Sequence, residues 1–129
     1  MIVVDTHAVI WMTCEQDKLS TTARSVLAEG RLEGRLAIAD ITLREIAVQV
    51  LRGRVAVSTP LEEYLHFIES LFRVLPITGQ IAERSTRFGA SFPRDSADRL
   101  IGATALVHNA RLVTKDELIR ASGEVQCVW

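Results

Sequence analysis

Cysteine is scarce in this chain: Cys14 and Cys127 are the only two among 129 residues. They lack metal-ligand spacing, and a chain of this length folds without cross-links, so both are expected as reduced, buried thiols. There is no excess of charge of either sign. Fifteen basic and sixteen acidic residues leave a formal charge of −1. Bulk charge therefore does not mark a nucleic-acid binder, and any RNA would have to be held by local basic patches. No apolar run approaches the roughly 20 residues that span a bilayer. Nothing resembles a leader either, since Met1 runs through Ile2-Val3-Val4 straight into Asp5. Repeats, linkers and low-complexity stretches are missing. These absences leave one globular domain over residues 1–129, expected in the cytoplasm and away from membranes.

What is present is an alternation of short apolar runs and helical periodicity. Ile2-Val3-Val4, Leu36-Ala37-Ile38-Ala39 and Arg111-Leu112-Val113-Thr114 read as buried strands. Val74-Leu75-Pro76 reads as a short edge strand, and Val125 to Val128 as a final one. Between them the spacing predicts helices over Thr6–Met12, from a Ser20 cap to a stop at Gly30, and over Thr42–Leu51 ended by Gly53. Further helices are predicted from Pro60 to Phe72, over Gln80–Phe88, over Asp95–Asn109 and over Asp116–Ala121. Strands alternating with helices predict an α/β/α sandwich around a mainly parallel sheet.

In such a sheet, ligands bind beyond the carboxyl ends of the strands. Asp5 directly follows the first strand, and Asp116 follows the strand ending at Thr114 with one residue between. Glu45 lies one turn into the helix after the second strand, and Asp95 and Asp98 open the longest helix. Carboxylates gathered in a cleft repel one another unless protons or a cation neutralise them. Hard oxygen ligands without His or Cys favour Mg²⁺ or Mn²⁺, ions suited to phosphodiester chemistry. A purely structural alternative exists for each acid. Asp5, Asp95 and Asp116 each precede a helix as caps do, and Thr42 with Glu45 reads as a capping box. The two roles are compatible, because helix N-termini often face active sites.

Together these residues resemble the PIN-domain ribonucleases, in particular the VapC-type toxins of VapBC toxin–antitoxin systems. The likeness rests on Val4-Asp5-Thr6-His7-Ala8-Val9-Ile10-Trp11, Thr42-Leu43-Arg44-Glu45-Ile46-Ala47, Arg94-Asp95-Ser96-Ala97-Asp98-Arg99-Leu100-Ile101 and Leu112-Val113-Thr114-Lys115-Asp116. Each segment is weak alone; the ordered set spans nearly the whole chain. The resemblance implies a metal-dependent endoribonuclease whose acidic tetrad is Asp5, Glu45, Asp98 and Asp116, with Thr114 beside it. It also implies Mg²⁺ or Mn²⁺ as cofactor, a homodimer, and inhibition by a small antitoxin. Asp95 is an accessory carboxylate or a cap, the cap being the favoured reading. Ser96 stands where many relatives carry Pro, and Thr42 keeps the hydroxyl of a frequent Ser.

Arg44, Arg94, Arg99 and Lys115 adjoin tetrad acids and are candidate RNA contacts; solvated surface charge is the plainer reading. His7 is expected as a buried or half-buried polar residue, and Trp11 as core, with stacking against a base as its lesser reading. The helices over Thr42–Leu51 and Pro60–Phe72 are candidates for an antitoxin groove, with Leu65 and Ile68 as anchors. Two rivals remain open. One is a haloacid-dehalogenase-like phosphohydrolase, which needs a second Asp where His7 stands. The other is a non-catalytic PIN-like module that binds RNA or a partner.

Overall fold

A computed structural model describes residues 1–129. Strands β1 (Ile2–Val4), β2 (Leu36–Ala39), β3 (Arg73–Leu75), β4 (Arg111–Val113) and β5 (Cys127–Val128) form one sheet in the order β3-β2-β1-β4-β5. Every pairing is parallel. The helices are α1 (Thr6–Cys14), α2 (Thr21–Leu32), α3 (Asp40–Leu51), α4 (Leu61–Leu71), α5 (Gly79–Ser85), α6 (Ser96–Val107) and α7 (Glu117–Ser122), with one 3₁₀ turn at Gln16–Lys18.

The sheet divides two cores, because successive side chains of a strand point to opposite faces. Ile2, Val4, Leu36, Ile38 and Val113 face one side, where they meet Val9, Leu27, Ile46 and Ile68. Val3, Ala37, Ala39 and Leu112 face the other, against Ile81, Phe92, Ile101 and Ile119. Both faces of the sheet are therefore covered, which explains why its strands read as unbroken apolar runs rather than alternating ones. This is the three-layer α/β/α arrangement that the sequence predicts, with a wholly parallel sheet.

Most helix ends fall within two residues of expectation, and three departures have a structural cause. Helix α2 does not stop at Gly30. It continues to Leu32, and Gly34, with φ +65°, makes the left-handed turn instead. Gly30 is small for another reason: a Cβ there would lie 2.6 Å from Leu36 Cδ2 and 3.3 Å from Ile2 Cδ1. Thr42 does not cap α3, which begins at Asp40 behind Ala39. The supposed capping box thus lies inside the helix, and both of its side chains are used elsewhere. Finally, α5 ends at Ser85, which leaves Phe88 in a connecting segment where it stacks on Phe92 with ring centroids 3.9 Å apart. Asn109 ends α6 as expected, at φ 51°.

Strand order determines where a site can form. From β1 the chain adds β2 and then β3 on one side, and later returns to add β4 and β5 on the other. The boundary between β1 and β4 is the topological switch point, where the flanking connections diverge and leave a crevice beyond the strand ends.

Candidate active site

Val4 pairs with Val113 across this boundary, so the residues that follow, Asp5 and Thr114, emerge side by side. The Asp5 amide continues the ladder with a 3.0 Å bond to the Val113 carbonyl. Thr114 is fully buried and joins the two acids. Its hydroxyl donates to Asp5 Oδ2 at 2.7 Å and accepts from the Asp116 amide at 3.0 Å. Asp5 Oδ1 accepts from the Thr6 amide at 2.8 Å. Glu45 arrives from α3, held by a 2.6 Å bond from the Thr6 hydroxyl, which also lies 3.5 Å from Thr42 Oγ1. Asp98 comes from the first turn of α6.

Asp5, Glu45, Asp98 and Asp116 line one cleft of about 490 Å³, together with His7, Trp11, Asp95, Lys115 and Glu117. The cleft thus gathers Asp5, Glu45, Asp98 and Asp116, the four acids singled out from the sequence. Asp5, Asp95 and Asp116 are also N-caps, of α1, α6 and α7 respectively. Cap and cleft residue prove to be one role rather than two, since each cap turns its helix N-terminus, and so its positive end, toward the acids. Asp95 accepts from the Ala97 and Asp98 amides at 2.9 and 3.2 Å, which fits the cap reading, and it lines the cleft as well.

Charge repulsion is written into the protonation of the cleft. Burial, reinforced by the charges of Asp5, Asp95, Asp116 and Glu45, pushes the Asp98 carboxyl up to about 7. Burial also raises Asp5, although the bonds from Thr114 and Thr6 oppose it. Glu45 is raised by burial and by Asp5 and Asp95 against the Thr6 bond. Lys115 is the only cationic Lys or Arg side chain lining the cleft. The donor set therefore fits a hard divalent cation in both chemistry and charge. No three of these side chains already stand as a closed ligand set, so they would have to draw in around an ion.

Sequence reasoning missed several contributors. Thr6 positions Glu45, and its place directly after Asp5 at a helix start was the available signal. Glu117 joins the cleft; Trp11, expected as core with base stacking as the lesser reading, packs half-buried against the core and also forms part of the cleft wall. His7 is exposed, not buried, as is Cys14. Asp40 follows β2 directly, as Asp5 follows β1, yet it turns away and accepts from the Ile77 amide at 3.1 Å. Of the four candidate RNA contacts, Arg94 and Arg99 line a separate cleft of about 420 Å³ with Ser85, Thr86 and Ser96, and Arg44 lines neither.

A parallel sheet with clustered carboxylates at its switch point describes a class of fold, and comparison with known proteins gives that class a name. The model of the PIN domain family matches residues 2–124. The chain belongs to the PIN-domain family, in its VapC branch. Ribonuclease VapC22 of Mycobacterium tuberculosis is 33% identical over 120 residues, which is 93% of this chain and 90% of that one. Among solved structures, VapBC2 of Rickettsia felis, bound to a DNA fragment from its promoter, superposes with a TM-score of 0.73 at 16% identity. That match covers 98% of this chain and 97% of the other. FitAcB of Neisseria gonorrhoeae superposes with a TM-score of 0.71 at 22% identity, over 98% and 96% of the two chains. These two share the fold.

Proposed function

We propose that the protein is an Mg²⁺- or Mn²⁺-dependent endoribonuclease and acts as the toxin half of a type II toxin–antitoxin pair. The observation that carries this reading is the cleft where Asp5, Glu45, Asp98 and Asp116 converge with one lysine among them. Kinship with a ribonuclease over almost the full chain supports the substrate class. In this reading Asp5, Glu45, Asp98 and Asp116 hold one or two ions. A divalent ion in such a site polarises the phosphate and lowers the pKa of an attacking water. Thr114 fixes the Asp5 carboxylate and the Asp116 backbone, so the two ligands keep their spacing. Thr6 does the same for Glu45. A carboxylate of the same cluster accepts the proton that the attacking water gives up. Lys115, and Arg94 and Arg99 in the neighbouring cleft, hold phosphates of the strand, with Arg44 at the periphery.

A small antitoxin, a homodimeric state and a cytoplasmic location belong to the same reading. No helix is long and apolar enough to cross a membrane. The groove for the antitoxin needs revision. Ile68 is fully buried and cannot anchor a partner. The accessible apolar surface on this side is a cleft of about 410 Å³ between the end of α1 and α4, lined by Val57, Tyr64 and Phe67 among others.

The test is cleavage of single-stranded RNA by the purified protein. It should proceed with Mg²⁺ or Mn²⁺ and cease with EDTA. Undiminished cleavage in EDTA would overturn the metal-dependent mechanism, and no cleavage under any ion would favour a non-catalytic RNA- or partner-binding module.

A further inference from the structure

The chain contains two tryptophans, and they pack against each other at the edge of the acidic cleft. Trp11 lines the cleft and is the only apolar side chain that does so. Its ring meets that of Trp129 edge-on at 5.8 Å between centroids. His7 is tilted against it at 5.7 Å, and Lys115 Nζ lies 5.4 Å from the ring centroid. A half-buried tryptophan supplies no oxygen donor to a metal ion held by the neighbouring carboxylates. It offers a flat apolar face a short way from where a phosphate would be drawn to the metal ligands.

We propose that Trp11, braced by Trp129 and flanked by His7 and Lys115, is a stacking platform for one nucleobase of the RNA, beside the phosphate that is cut. This rests on the ribonuclease reading above. The cleft volume of about 490 Å³ lies within the range of small-ligand sites and accommodates a nucleotide. Single-stranded RNA is recognised by stacking unstacked bases on aromatic side chains, a contact open to any base because each has a π-face. Lys115 is exposed and in no ion pair, so only its weak contact with the ring holds it there. An exposed cation–π contact is weaker than a stacked base, so an arriving base displaces the ammonium, which turns to the adjoining phosphate. Trp129 prevents the Trp11 ring from yielding under the base. The platform thus selects strands with an unpaired base at one position relative to the cut.

The molecule reports on this itself, because all of its tryptophan fluorescence arises at the platform. The probe is a single-stranded RNA octamer that the protein cleaves, offered with Ca²⁺ in place of the active ion and also as a set carrying one abasic nucleotide at each position in turn. Trp129→Phe isolates the Trp11 emission. The expected result is quenching by the intact octamer and loss of both quenching and about tenfold of affinity at one abasic position adjoining the cut. Trp11→Leu should lose the same affinity and show no further penalty with that abasic strand, while Trp11→Phe restores most of it. If the octamer is bound and cleaved but the abasic series is flat and the emission unchanged, the platform is wrong and the nuclease reading stands. If the wild-type protein neither binds nor cleaves RNA, both fail. The abasic arm uses unaltered protein, so it remains decisive even where a Trp11 variant does not fold.

Discussion

At the scale of single residues, the site depends on hydroxyl groups as much as on carboxylates. Thr114 donates to Asp5 in a buried bond and accepts from the Asp116 amide in a part-buried one. Thr114→Val keeps the shape, leaves the Asp5 carboxylate held by the Thr6 amide alone and takes the partner from the Asp116 amide. Groups that orient metal ligands typically affect metal affinity or activity about 10- to 100-fold. A loss of that size in Mn²⁺-supported cleavage is therefore expected, with the fold retained by circular dichroism; unchanged cleavage would make Thr114 merely structural. Asp98 carries a pH signature. Its folded carboxyl is raised to about 7 by burial and by its acidic neighbours, above the ordinary range it returns to on unfolding. The folded state therefore binds this proton more tightly, and the resulting stability is fully present only at acid pH and disappears as pH rises toward and past 7. Asp5 and Glu45 are raised too and act in the same direction. In EDTA, the melting temperature should fall between pH 5 and pH 8. Asp98→Asn should flatten this slope and melt higher than wild type at pH 8. A melting temperature that rises over the same interval would contradict the account of the cleft.

At the scale of elements, packing decides the sign of a substitution that helix propensity would favour. A Cβ on Gly102 would lie 2.8 Å from Phe92 Cζ and 3.0 Å from Phe88 Cζ, two stacked and buried rings. Alanine gains about 1 kcal/mol over glycine in a helix interior, whereas overpacking a core typically costs about 1–3 kcal/mol. Overpacking should win, leaving Gly102→Ala about 1 kcal/mol less stable and a few degrees lower in thermal melting. Gly79→Ala, at an exposed helix start with nothing within 4 Å, serves as the control and should melt no lower than wild type. The same competition separates what was legible in the sequence from what was not. Strand runs such as Ile2–Val4 and acids placed just beyond strands are local patterns, and the sheet turns them directly into a site. Gly30 read as a helix stop because its true constraint, Leu36 against its backbone, comes from another element. Thr42 read as a cap because Thr6, its neighbour in space, lies 36 residues away. Arg94 and Arg99 line a different cleft from Lys115, a division that a run of charges does not reveal.

At the scale of the whole molecule, two surfaces have to work together: the acidic cleft on the strand ends and the apolar cleft beside α4. Phe67 is 45% exposed and lines the latter, so Phe67→Glu should fold and cleave as wild type while weakening inhibition by a co-purified antitoxin. Normal inhibition of that variant in an RNA-cleavage assay would place the antitoxin on another surface. Both expectations depend on the claim that the carboxylate cleft is where RNA is cut. That claim is tested most directly by the initial cleavage rate of Asp98→Asn beside wild type, on one RNA, at saturating Mn²⁺ and neutral pH, with both proteins shown to be folded. Losing a ligand outright should cost at least the roughly 100-fold seen for orienting groups, and the variant should fall by that much or more. A variant that is folded and cuts at the wild-type rate would contradict the assignment of the cleft as the active site.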